Sequence, residues 1–220
     1  DKPYYIVPIC HERVSTVYRD EHILLVNKPA YLLSVPGRAP ENQDCAVRRL
    51  ARKDPDIRLV HRLDLDTSGI MVFALTRQAQ SQLSRLFQQR TVKKRYQAVV
   101  HGLVAKDSGS IELPLIADWP NRPLQKVCYD TGKSALTHYQ VLERDEARNR
   151  TRLALSPVTG RSHQLRIHCR ELGHPIIGCD MYAPPEIEAL SPRLLLHAEW
   201  LAFNHPMTGL WQEFTSPCPF

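Results

Sequence analysis

The strongest constraint on the fold is a run of seven uncharged residues at positions 69–75, Gly-Ile-Met-Val-Phe-Ala-Leu. A strand without polar alternation has no face for solvent, so other elements must cover both of its faces. The run is far shorter than the ~18 residues of a membrane-spanning helix. We therefore expect a sheet with a doubly buried central strand, and we expect no membrane partner.

Other segments predict more strands than helices. β-Branched and apolar runs predict strands at 23–26, 95–101, 136–142, 151–155 and 193–203. Apolar periodicity predicts helices at 44–53, 76–90 and 162–172. The predicted N-caps are Asp44, Thr76 and either Thr159 or Ser162. This mixture predicts an α+β fold, with residues 1–220 forming a single domain.

The charge is unevenly distributed along a chain of net charge +6. Residues 1–110 carry 18 basic and 11 acidic side chains, and seven basic residues but no acidic one lie from Arg77 to Lys106. Such an excess favours a polyanionic partner such as nucleic acid, although a solvated helix face would also explain it. The six cysteines form no C-x-x-C pair, which fits a reducing cytoplasm and gives no reason to expect a metal.

The densest polar cluster, His61-Arg62-Leu63-Asp64, directly precedes the buried strand. Loops held by a rigid scaffold are where functional sites concentrate. A nearby Arg62 would favour the ionised form of Asp64, which could then act as a nucleophile or a base. The alternative is structural: Asp64 or Asp66 would accept hydrogen bonds from the amides of the following turn.

Two further clusters contain cations. At residues 159–168, Arg161 and the amides of a helix N-terminus would bind an anion, and Arg166 lies one turn further on. The alternative is an amphipathic helix with a solvated arginine. At Lys93-Lys94-Arg95-Tyr96, three cations would hold phosphates while the ring stacks on an extruded base, although Tyr96 could equally be a core residue.

Together these segments resemble the RluA family of pseudouridine synthases, with the motifs in the family's order. The resemblance is carried by Asn27-Lys28-Pro29 with Leu33-Ser34-Val35-Pro36-Gly37, His61-Arg62-Leu63-Asp64 with Thr67-Ser68-Gly69, Gly160-Arg161-Ser162-His163-Gln164-Leu165-Arg166, Gly173-His174-Pro175-Ile176 and Leu194-Leu195-Leu196-His197-Ala198. The segments 118–123 and 125–129 are similar to the branch of the family that modifies both 23S rRNA and tRNA. We also expect no separate N-terminal RNA-binding domain of the kind that other branches have.

The resemblance implies a role for each matching residue. Asp64 matches the essential aspartate, Tyr96 the tyrosine that contacts the target base, and Arg166 the arginine that pairs with the aspartate. Arg62 matches the arginine that helps to displace the target nucleotide. The implied fold is a large, mainly antiparallel mixed sheet flanked by helices around an RNA-binding cleft. The expected RNA contacts are Arg62, His61, Lys93, Lys94, Arg95, Arg161 and Gln164.

The implied reaction is the isomerisation of uridine to pseudouridine in RNA, without a metal or organic cofactor. One carboxylate suffices for it, whereas hydrolytic glycosidases usually use two. We expect a cytoplasmic monomer that acts on stem-loops of 23S rRNA and tRNA, not on DNA. A non-catalytic RNA-binding module and a metal-dependent nuclease are the alternatives. Two positions depart from the family pattern: Tyr31 replaces a usual glycine, and Cys179 stands between Gly178 and Asp180.

Overall fold

The structure is a computed structural model that describes residues 4–220. The strands are β1 (Ser15–Arg19), β2 (Ile23–Lys28), β3 (Arg58–Leu59), β4 (Ser68–Ala74), β5 (Lys93–His101), β6 (Ser108–Glu112), β7 (Leu115–Ala117), β8 (Gln125–Val127), β9 (Leu136–Asp145), β10 (Arg150–Pro157), β11 (Leu196–Asn204) and β12 (Trp211–Thr215). The α-helices are α1 (Ala46–Ala51), α2 (Arg77–Gln88), α3 (Gln164–Glu171) and α4 (Pro185–Glu188). The predicted α+β class is confirmed.

The chain forms two compact units. The first contains the described residues up to Lys93 together with Ala198–Pro219, and the second contains Lys94–His197 and Phe220. The long strand β11 contributes residues to both units, which are described separately below.

In the first unit, the central strand is buried as predicted. Hydrogen bonding orders the strands β1-β2-β4-β11, with β3 beside β4 and β12 beside β11. All seven residues of β4 are buried. Gly69 has φ of 128°, and a Cβ atom there would lie 2.2 Å from the carbonyl oxygen of Ala198. Only glycine therefore lets the backbone approach this closely.

The two helices of the first unit differ in how well the sequence predicts them. The Thr76 hydroxyl accepts a hydrogen bond from Ala79 N, which confirms the predicted cap of α2. The predicted cap of α1 is wrong, because Cys45 occupies the N-cap position and its side chain makes no capping bond. Asp44 instead forms an ion pair with Arg49 at 2.7 Å, so its carboxylate is not directed at the helix amides.

In the second unit, antiparallel pairing gives the order β5-β10-β9-β6, while β7 and β8 form a separate two-stranded ribbon. The helix α3 supplies Leu165, Ile167 and Cys169 to a core cluster that also contains residues of β5 and β10. This packing fixes α3, which carries several of the predicted site residues.

One predicted strand has a different start in the structure. The predicted strand at 193–203 begins later, at Leu196. The Arg193 guanidinium donates to the carbonyl oxygens of Leu194 and Leu196, at 2.8 and 3.1 Å, and so folds back over the chain that precedes the strand. No helix within residues 4–220 is long and apolar enough to cross a membrane.

Candidate active site

The loop that precedes β4 holds Asp64 in the first unit. Leu63 is 6% exposed, and its amide donates to the Ser34 hydroxyl at 3.1 Å while that hydroxyl donates back to Leu63 O at 2.6 Å. The residues on either side of this anchor, Arg62 and Asp64, are exposed. The loop therefore presents a carboxylate and a guanidinium to solvent from a fixed backbone.

A buried lysine, Lys28, supports the same loop. Lys28 is 0% exposed, and its Nζ donates to the carbonyl oxygens of Pro29 at 2.8 Å, Leu32 at 2.7 Å and Leu65 at 3.3 Å. These oxygens offset the cost of removing the ammonium group from water. Because Leu65 follows Asp64 directly, the hydrogen bonds of Lys28 connect the turn after β2 to the loop that holds Asp64.

Tyr31, the first of the two departures from the family pattern, lies in the turn after β2. Tyr31 has φ of 63°, in the left-handed region, and its amide donates to Leu65 O at 2.7 Å. A glycine would adopt this conformation without a steric cost. The turn is therefore formed here by a tyrosine in a backbone conformation that favours glycine.

His61, an expected RNA contact, packs within the first unit. Its Nε2 accepts a hydrogen bond from Val72 N at 3.0 Å, and its ring stacks on Phe87 with a centroid separation of 4.7 Å. The accepting nitrogen carries no proton, so the geometry describes a neutral imidazole that attaches the loop to β4 and α2. Its role in RNA binding stays a prediction.

In the second unit, the expected cations and tyrosine lie at the start of β5. Lys94, Arg95 and Tyr96 are half-buried, whereas Lys93, the last residue of the first unit, is exposed. Burial lowers the pKa of the Lys94 ammonium group. Tyr96 pairs with Leu155 in the register of β5 and β10, and it packs against the core cluster.

The start of α3 differs from the prediction. Neither Thr159 nor Ser162 caps it, because the N-cap is His163, with φ of 57° and no side-chain capping bond. Gln164 is 3% exposed. Its Oε1 accepts from Thr159 Oγ1 and Arg161 N, and its Nε2 donates to Leu136 O and Thr137 Oγ1. Gln164, an expected RNA contact, thus holds the start of α3 instead of facing solvent.

The two arginines of this segment have different environments. Arg161 is half-buried and donates from Nε to Ser134 O at 3.0 Å. Arg166 is 2% exposed, so the alternative of a solvated arginine on an amphipathic helix is wrong for it. Its Nη1 lies 3.7 Å from Oδ1 of Asp180, whose side chain is 54% exposed. The Asp180 carboxylate therefore compensates part of the charge of the buried Arg166 guanidinium. Asp180 directly follows Cys179, the second departure from the family pattern.

The comparisons with known proteins decide the family. The model of the family described as RNA pseudouridylate synthase matches residues 22–171, more than half of the chain. The chain belongs to the RNA pseudouridine synthases. Enzymes of this family are isomerases. The site residues that the sequence resemblance predicts, from His61 to Arg166, all lie within the matched range 22–171.

Relatives cover nearly the whole synthase. The dual-specificity RNA pseudouridine synthase RluA of Yersinia pestis is 54% identical over 204 residues, which cover 93% of this chain and 98% of the relative. The protein of the same name from Escherichia coli strain K12 is 52% identical over 204 residues, covering 93% of each. A solved structure, human RNA pseudouridylate synthase domain containing 1, is 30% identical with a TM-score of 0.80, covering 97% of this chain and 86% of that chain.

Sequence reasoning about this synthase missed two buried polar residues that support its site segments. In the sequence, Lys28 stands out only as part of the Asn27-Lys28-Pro29 motif. His168, in α3, is 0% exposed; its Nε2 donates to Leu113 O at 3.1 Å, and its Nδ1 lies 2.8 Å from Thr137 Oγ1. Burial lowers the pKa of His168. Lys28 and His168 are both polar residue types that adjoin apolar runs, and this position is the feature of the sequence that could have identified them.

Within the described residues, no group of three His, Cys, Asp or Glu side chains could hold a metal ion.

Proposed function

We propose that this RNA pseudouridine synthase modifies uridines in stem-loops of both 23S rRNA and tRNA, the latter at the anticodon stem-loop. The observation that carries the proposal is the identity of 52–54% over 93% of the chain to relatives named as dual-specificity synthases. RNA loops suit such an enzyme because their bases are already unstacked, which lowers the cost of extruding the target uridine.

We propose Asp64 as the catalytic carboxylate. The uracil must leave C1′ of the ribose, turn and reattach through C5, and one carboxylate can assist either by covalent attack or by moving a proton at C2′. Both routes need a carboxylate that reaches the substrate from a fixed position. Asp64 meets this need, since it is exposed and its neighbour Leu63 is held by Ser34.

The other proposed roles follow the family resemblance. Tyr96 would contact the target base, and the buried Arg166 would keep the catalytic carboxylate ionised and oriented. Residues 1–220 would act as one catalytic domain. The exposed or half-buried cations, Arg62, Lys93, Lys94, Arg95 and Arg161, would hold RNA phosphates. This part of the proposal predicts that affinity for RNA falls steeply with salt concentration.

Tritium release from RNA labelled at C5 of uridine tests the proposal. The wild-type protein should release tritium from a tRNA anticodon stem-loop and from a 23S rRNA fragment. Asp64→Asn should abolish release from both while leaving RNA affinity within about twofold, because the two side chains have nearly the same shape. Asp56→Asn, a change at an exposed carboxylate outside the loop, is the matched control.

The outcomes separate the parts of the proposal. Release from only one RNA would disprove dual specificity and leave the synthase assignment intact. Full activity of Asp64→Asn would disprove the role of Asp64. RNA cleavage that EDTA prevents would instead indicate the nuclease considered from the sequence.

We also propose that the protein works as a cytoplasmic monomer. All six cysteines are free, which suits a reducing compartment. Light scattering should give a mass near 25.2 kDa at micromolar concentration, and a mass near twice that value would refute the monomer.

A further inference from the structure

The ribbon formed by β7 and β8 exposes a tryptophan at its tip. Residues 118–124 connect the two strands, and Trp119 within this connection is 67% exposed. An indole ring buries a large apolar area when it meets a partner, so the exposed Trp119 ring offers a large contact surface. The proposed catalytic roles do not use this residue.

The tip is held rigidly by its own hydrogen bonds. Asp118 N donates to Leu124 O at 2.9 Å, and Asn121 N and Nδ2 donate back to Asp118 O and Oδ2 at 2.9 and 3.0 Å. At the adjoining end of β8, Gln125 N donates to the Tyr182 hydroxyl at 3.0 Å. A partner of Trp119 would therefore meet a surface that loses little conformational freedom on binding.

One face of the indole is already occupied by a cation. The Arg122 guanidinium carbon lies 4.0 Å from the centre of the Trp119 ring. Because 67% of Trp119 is nevertheless exposed, the opposite face of the ring is open to solvent. An arginine backing an aromatic ring is a combination that binds unstacked bases, which have flat faces and a phosphate nearby.

The surroundings favour a nucleic acid over a protein partner. Asn121 and Arg122 in the connection and Lys126 in β8 are exposed, and two of them are cations, whereas the Asp118 carboxylate is half-buried and accepts a hydrogen bond from Asn121 Nδ2. The core of a protein interface is depleted in lysine, whereas Lys126 lies exposed on the adjoining strand β8. We propose that Trp119 stacks, on the face opposite Arg122, against an unpaired base of the RNA substrate. This inference rests on the proposed function and adds a substrate-binding residue to it.

The test combines kinetics with fluorescence, using the tRNA anticodon stem-loop as the probe. Trp119→Ala should raise KM about tenfold, within the range that alanine substitution gives for one stacked base, and leave kcat within about twofold. Trp119→Phe should recover most of the loss because it keeps an aromatic face. Trp211→Ala, which removes another exposed tryptophan, is the control and should change neither constant.

Fluorescence provides a readout that does not depend on turnover. Binding of the stem-loop should quench tryptophan emission in the wild type and in Trp211→Phe, and the quench should be lost in Trp119→Phe. An unchanged KM in Trp119→Ala, a loss confined to kcat, or quenching that persists in Trp119→Phe would each overturn the proposal. If the wild type binds but releases no tritium from either RNA, the proposed function fails while the quench still decides the role of Trp119.

Discussion

Replacing Lys28 by methionine should destabilise the protein strongly, although the change keeps the length and apolar stem of the side chain. The ammonium group makes two hydrogen bonds of normal length, to Pro29 O at 2.8 Å and Leu32 O at 2.7 Å, and a longer one of 3.3 Å to Leu65 O. A hydrogen bond to a charged group contributes about 1.5–3 kcal/mol net. The two short bonds alone therefore predict a loss of about 3–6 kcal/mol, a large share of the roughly 5–15 kcal/mol that stabilises an ordinary domain.

Urea denaturation followed by tryptophan fluorescence measures this loss. With a slope of about 2 kcal/mol/M, the midpoint should fall by about 1.5–3 M. Lys106→Met changes an exposed lysine and should stay within about 0.5 kcal/mol of the wild type. Lys28→Gln keeps a donor without the charge and should lie between the two. A loss below about 1 kcal/mol for Lys28→Met would refute the reasoning, because it would mean that the three carbonyl oxygens do not depend on the ammonium group.

Three further predictions concern single residues. Tyr31→Gly should be about 1 kcal/mol more stable than Tyr31→Ala in urea titrations, because φ of 63° strains any residue with a Cβ atom; equal stabilities would contradict this. Thr76→Ala should cost about 1 kcal/mol through loss of the α2 cap, whereas Thr91→Ala, at an exposed site beyond the helix, should cost less. Burial lowers the pKa of His168 below its ordinary value, so as pH falls from 7 to 5 the unfolded chain takes up more of this proton than the folded protein does. Stability should therefore fall over this range, and His168→Gln should lessen the fall; equal slopes for both proteins would contradict the burial of a neutral imidazole.

Elements with an unmixed pattern could be predicted from the sequence. The strand β4 is recognisable because it is apolar throughout, and the start of α2 because a threonine precedes an amphipathic run. The cap of α1 could not be predicted, since Asp44 has a competing partner in Arg49 that becomes available only once the helix forms. Capping residues and ion-pair partners are the same residue types, and tertiary geometry decides between the two uses.

In the candidate site, too, the sequence predicts some features and cannot predict others that depend on tertiary packing. That Asp64 lies exposed on a loop before a buried strand follows from the local pattern. The burial of Arg166 does not, because an arginine within an amphipathic helix is ordinarily solvated and only the packing of α3 against the sheet encloses it. The sequence also could not show that Gln164 is enclosed, since its four partners come from separate segments at residues 136–137, 159 and 161.

Lys28 and Gln164 together show why sequence motifs contain residues that are buried in the protein. A reacting carboxylate or guanidinium must be held to within a fraction of an ångström, and a purely apolar contact does not fix a loop backbone that well. The motifs that contain Lys28 and Gln164 each include a buried polar side chain that bonds to backbone groups. Lys28 donates to the carbonyl oxygen of Leu65, the residue after Asp64, and Gln164 bonds to the Arg161 amide and the Leu136 carbonyl oxygen near the start of α3. Such a network is costly when any member is missing, so it specifies one geometry. A motif match thus identifies two kinds of residue together: buried residues that position the site and exposed residues that are available to the RNA. Only burial and hydrogen bonding separate the two kinds.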